Sequence, residues 1–427
     1  MEHRVRSRRR LPAVGILIAL LGLGTLLSGC GAAQSSAATV ASAGTGGAAV
    51  PAAPVVSASP VASIAPTNAP APAILPAIRA ARLITTTVGW ALTDRDLRLT
   101  TTGGVTWTTV TPPDVTASRI RGATFLDALH GWVIVASNPD AAQKTTLSIL
   151  RSSDGGRSWQ QTTLAAPDRF FTDAPPDTAA INFLDAQHGW AVIRLASSSN
   201  FSRGRLFQTT DGGATWQQRT IPIGDPVRFV TPTDGWTAGG PGGGHLYVSR
   251  DGGQSWQPVT IAAPAAFAQG IPAYGLPTFS DAQTGVLPVT FAGDDASPAG
   301  LAFYATNDGG HSWAMVQTMA LDGHPGVGVV TRTAILGPAN WLVAQPGAKR
   351  LIATADSGRT TQEVIPVGLL ANVMDLTFGD SMNGWARAAD TECPNVSPQA
   401  AKGSCRLTPV QLVRTTDAGR TWVPIMP

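Results

Sequence analysis

Beyond residue 78 the chain repeats one polarity pattern. Residues 180–221 show it in full. "AINFL" alternates, "GWAVIRL" is a longer apolar run, "GRLFQTT" ends in hydroxyls, and "TWQQRTI" alternates again. Runs of this length with a period near 2, bounded by Gly, Asp and Thr, predict β-strands. We label the four strands A to D. Short turns join A to B and C to D. Longer, more variable loops join B to C and D to the next A. Residues 31–78 contrast sharply. They are rich in Ala, Pro and Ser, hold no charged residue and keep no sustained period. Such a segment buries no core and reads as a disordered or polyproline-like tether, with a coil span of about 40 Å.

Two motifs punctuate the pattern. The C–D turn reads "TTTGGVTW" (100–107), "SSDGGRSW" (152–159), "TTDGGATW" (209–216), "SRDGGQSW" (249–256), "TNDGGHSW" (306–313), "TADSGRTT" (354–361) and "TTDAGRTW" (415–422). The first copy lacks the Asp and the sixth lacks the Trp. Gly-Trp opens strand B at 89–90, 131–132, 189–190, 235–236 and 384–385, with degenerate versions at Gly285-Val286 and Asn340-Trp341. All twelve tryptophans fall in these motifs. A core tryptophan of a repeat must recur in register, whereas a ligand-binding one need not. Seven units at a mean spacing of about 52 residues predict propeller blades of four strands each.

The chemistry of the Gly-rich turn is structural. Its glycines can take positive φ. The Thr or Ser hydroxyl and the carboxylates of Asp154, Asp211, Asp251, Asp308, Asp356 and Asp417 can bond N–H groups that the turn leaves unpaired. The Trp that follows can bury its ring against a neighbouring blade. This turn is identified as the Asp-box, or BNR, repeat. Its pairing with "FLDALHGW", "FLDAQHGW" and "FGDSMNGW" resembles the family of photosystem II assembly and stability factors. The resemblance spans residues 79–427. It implies a single all-β, seven-bladed propeller, a scaffold role toward a partner membrane protein, and no cofactor or catalysis. Asp-boxes also occur in sialidases, some glucanases and sorting receptors, so a carbohydrate-binding or carbohydrate-cleaving propeller is the alternative. How the ring closes stays open, since the first strand could be exchanged into the last blade.

Charge changes the picture little. The formal net charge is +3, but residues 1–29 hold five Arg against one Glu. The remaining 25 Lys and Arg face 26 Asp and Glu, with no basic run, which argues against nucleic acid. Residues 1–29 instead have the parts of an export signal: the basic "MEHRVRSRRR", an apolar stretch, and small residues before Cys30. "LSGC" resembles the lipobox of bacterial lipoproteins, which makes Cys30 the expected lipidation site and places the protein outside the cytoplasm, anchored to a membrane. There, Cys393 and Cys405 are expected to form a disulfide across a short insertion.

Glycosidases work with paired carboxylates about 5–10 Å apart. One Asp-box aspartate per blade cannot supply such a pair, and no metal ligand set is evident. His130 and His188 precede Gly-Trp in equivalent turns and read as repeat features. The three tyrosines, Tyr247, Tyr274 and Tyr304, have no evident Glu partner of the kind sialidases use, since Glu363 and Glu392 lie in other contexts. Loop aspartates Asp168, Asp177, Asp294 and Asp295 keep the enzyme alternative open. For a protein partner, the loops opposite the Asp-boxes supply the expected contacts: Arg169, Phe170, Phe171, Phe201 and Arg203, then Phe267 and Tyr274. Arginine with aromatic residues is interface composition.

Overall fold

The computed structural model describes residues 76–138, 145–164, 176–196, 201–293, 299–321, 325–347, 349–392 and 406–426. Seven antiparallel sheets follow one another along the chain, each a four-stranded meander in sequence order. The protein is a seven-bladed β-propeller. Blade 3 is representative, with strands Pro176–Phe183, Gly189–Leu195, Gly204–Thr209 and Gln217–Arg219. Strand A of blade 5 is split into Ile271–Tyr274 and Thr278–Phe279, both paired with Gly285–Ala292. Blade 7 carries an inserted hairpin, Thr391–Glu392 with Arg406–Leu407, between strands B and C. Cys30, Cys393 and Cys405 lie outside the described residues.

Seven apolar clusters hold the ring together, one at each joint between neighbouring blades. The Gly-Trp motif explains the joint. In blade 3, Phe183 ends strand A and pairs directly with Gly189. A Cβ on Gly189 would lie 2.5 Å from the Phe183 ring, so glycine makes room for it. The other face of that ring stacks on Trp132 of blade 2 at 3.5 Å. Its edge meets Trp216, the Asp-box tryptophan of its own blade, at 5.9 Å. Trp190 and Phe229 repeat the stack at 3.8 Å between blades 3 and 4.

This arrangement corrects one expectation. The rings that cross between blades are those of Gly-Trp, and they are buried, with Trp190 and Trp236 fully enclosed. Of the Asp-box tryptophans, Trp159, Trp216, Trp256 and Trp313 are half-buried covers over such phenylalanines, Trp107 is half-buried against Trp385, and Trp422 is buried. A second correction concerns blade 6. Trp341, not Asn340, pairs with Ile335 and so occupies the glycine register. A one-residue step along a strand reverses the face. Trp341 therefore points back to blade 5 and stacks on Phe303 at 4.1 Å. It fills the joint where blade 5 offers only Val286, while Leu342 takes the forward position.

Ring closure needs no exchanged strand. Ile78–Leu83, the first strand, pairs within its own sheet. Trp385 of blade 7 packs on Gly89 and Gly104 of blade 1 and lies 5.4 Å from Trp107, repeating the joint used elsewhere. Arg414 adds a 3.2 Å hydrogen bond to the Gly103 carbonyl, and Leu83 N–H donates to Thr377 Oγ1.

Candidate functional site

The Asp-boxes form closed hydrogen-bond units. In blade 3, Thr209 Oγ1 donates to Asp211 Oδ1 at 2.8 Å and accepts from Gly213 N at 2.8 Å. Asp211 also accepts from Thr215 N at 2.9 Å and Thr215 Oγ1 at 2.6 Å. Burial pushes the Asp211 carboxyl upward, but these hydrogen bonds outweigh it and hold the pKa at about 2. In Asp154 the Ser158 hydroxyl leads the same effect, again to about 2. In blade 1, Thr102 stands in for the Asp: its hydroxyl accepts from Thr106 N at 2.8 Å. Carboxylates so strongly ionised hold no proton to give near neutral pH, and most of their accepting capacity is taken up by their own turn. Where glycine is missing the turn keeps its shape regardless, with Ser357 at φ 62° and Ala418 at φ 61°.

Every Asp-box turn also bonds the A–B turn of its own blade. Examples are Gly212 N to Gln187 O at 2.9 Å and Gly309 N to Gln283 O at 2.9 Å. Both sets of turns therefore share one face. His130 and His188 belong to these A–B turns: each Nδ1 pairs with a turn aspartate, Asp127 at 2.8 Å and Asp185 at 2.9 Å. Among the described residues, no group of three or more His, Cys, Asp or Glu is gathered to hold a metal.

The face opposite, where a partner site was expected, is only partly retained. Phe201 and Arg203 are exposed in the B–C loop of blade 3, with Phe201 at 63%. Phe267 and Tyr274 are core residues instead. Phe267 packs on Phe291 at 5.6 Å and fills the space beside Gly300, and both it and Tyr274 are only 6% exposed. Blade 5 uses its long D–A loop to cap its own sheet, which draws these rings inward. Arg169, Phe170 and Phe171 lie outside the described residues, as do Asp168, Asp294 and Asp295. Tyr304 donates to the Ala262 carbonyl at 2.8 Å, and burial raises its pKa to about 12.

Sequence reading missed the feature at the centre. One residue before the end of each strand A lines the mouth of the central channel. These seven are Arg82, Thr124, Asn182, Arg228, Thr278, Ala334 and Thr377, and all border one cavity of 310 Å³. Each stands seven residues before the glycine position of its blade, so superposing the repeats exposes the ring. It holds two arginines and no carboxylate. Arg228 donates through Nη1 to Thr278 Oγ1 at 2.8 Å and to Pro277 O at 3.3 Å. Desolvation, and then repulsion from Arg82, lowers its pKa to about 10. Arg82 is open to the water of the cavity yet closely ringed by protein, and desolvation lowers its pKa too. Both arginines also line an adjoining cavity of 340 Å³ beneath the A–B turns of blades 3 to 5.

The BNR/Asp-box repeat family matches residues 247–258, the blade 4 turn with its flanking strands. The same hydroxyl–Asp–Gly bonding recurs in other turns around the ring. This chain is a seven-bladed propeller of Asp-box repeats. No curated protein matches it. Similar solved structures include YCF48 bound to D1 peptide, at 19% identity and TM-score 0.46, covering 73% of this chain and 90% of that one. YCF48 from Cyanidioschyzon merolae gives 19% and 0.46, covering 73% and 92%. The GH74 xyloglucanase from Xanthomonas campestris gives 14% and 0.47, covering 82% and 67%.

Proposed function

We propose that this propeller is an exported, lipid-anchored, non-enzymatic scaffold that binds a protein partner. One observation carries the reading: the channel mouth gathers two arginines and no carboxylate. Acid–base cleavage of a glycosidic bond requires paired carboxyl groups, and the Asp-box carboxylates are spent on their own turns. A Cys30 lipid with a charge-free tether supports a position near a membrane, and a Cys393–Cys405 disulfide would close the blade 7 insertion outside the cytoplasm.

The test uses the full chain as bait against membranes of the producing cells, beside a glycan array and a panel of chromogenic glycosides. The expected result is capture of a protein, with no glycan retained and no glycoside cleaved. Glycan retention or turnover without protein capture would overturn the reading. In the same cells, Cys30→Ser is expected to abolish fatty-acid labelling; labelling that persists would remove the anchor from the proposal.

A further inference from the structure

We infer that Arg82 and Arg228 form a carboxylate-binding site, occupied by a carboxylate of a peptide segment of the partner. The inference rests on the reading of the propeller as a protein binder and names the chemistry it recognises.

The two arginines come from blades 1 and 4, from opposite sides of a seven-membered ring, yet both border the same two cavities. Among the described residues, no carboxylate or hydrogen-bond acceptor is paired with Arg82. Arg228 is steadied by blade 5 through one nitrogen alone, which leaves the other edge of its guanidinium for a ligand. Two like charges facing each other in partial desolvation cost stability and return none to the fold. A shared anion removes that cost. Guanidinium groups suit it because their planar fork matches a carboxylate in two parallel hydrogen bonds.

The surroundings select the source. The 310 Å³ cavity is walled by Leu83, Phe125, Phe183, Ile335 and Phe378 alongside the ring hydroxyls. Leu83, Phe125 and Phe183 are buried in the blade joints, so what the cavity presents is mainly polar: two guanidinium groups with hydroxyls and one amide. The adjoining cavity continues from the arginines under the turns of blades 3 to 5, which gives an extended segment room to run. The one carboxylate on that path, Asp281, accepts from Gln283 N and Thr284 N at 2.7 Å each and is occupied by its own turn.

The test passes three pools over the immobilised full chain, with retained molecules read by mass spectrometry. The first is random hexapeptides lacking Asp and Glu, with free C-terminal carboxylates. The second is the same pool amidated. The third is amidated hexapeptides that include Asp and Glu. We expect retention of the first or third pool and not the second, which tells a chain terminus from an acidic side chain. Retention should fall by about tenfold or more in Arg82→Gln, the loss of one charged hydrogen-bonding partner, and in 1 M salt. Arg82→Gln should melt no lower than wild type, because it removes an unpaired charge rather than a contact. Equal retention of all pools, displacement by inorganic phosphate but not by acetate, or preferential retention of sialyllactose would overturn the site. So would an Arg82→Gln variant that melts early and still retains peptide. If that variant still captures the membrane partner, this inference fails while the binding role stands.

Discussion

Trp132→Ala is expected to destabilise the propeller by about 3–5 kcal/mol, the usual loss for a buried tryptophan. The ring is 2% exposed and stacks on Phe183 across the joint between blades 2 and 3. Its Nε1 also donates to the Gly212 carbonyl at 2.8 Å, tying strand B of blade 2 to the Asp-box of blade 3. The substitution therefore opens a cavity and leaves a carbonyl short of a partner in one step. Trp216→Ala removes a half-buried cover from the edge of the same phenylalanine and should cost clearly less. Denaturant titration of both variants checks this. Equal losses would mean that the two tryptophan sets share the load, contrary to the packing described.

The second large effect is acid sensitivity. The Asp-box carboxyls are held below their ordinary value, Asp154, Asp211 and Asp417 at about 2, and Asp251, Asp308 and Asp356 in the same direction. A carboxyl with a lowered folded-state pKa stabilises the fold above its unfolded value. That contribution is lost as pH falls from about 4 toward about 2. With six such groups acting together, the melting temperature should fall steeply across this window and change little between pH 5 and 7. Asp211→Asn should lower the melting temperature at pH 7 and flatten the acid limb. An acid limb unchanged by Asp-box substitutions would place the sensitivity elsewhere.

The repeat made the fold legible. Asp-box and Gly-Trp spacing fixed the number of blades, the order of strands and the shared face of the turns, because each motif satisfies a local demand that recurs. Trp341 was misread for the same reason. It looks like a Gly-Trp tryptophan, and only its pairing with Ile335 shows the shift by one residue. The proposed site was harder to see because a site is whatever departs from the repeat. Arg82 and Arg228 stand in short, unremarkable strand segments, far apart in sequence, and closing the ring brings them together. Phe267 and Tyr274 misled in the opposite way. Phe267 lies in a long variable loop that folds inward onto blade 5, and Tyr274 belongs to strand A of that blade.

The partner is proposed to meet the channel mouth rather than the far face. A photo-reactive phenylalanine analogue placed in the full chain, at Leu126 beside the mouth or at Phe201 on the opposite loop, tests it directly in intact cell envelopes. Irradiation is expected to yield a cross-linked partner from position 126 and none from position 201. A cross-link from 201 alone would contradict the account and return the site to the loops opposite the Asp-boxes.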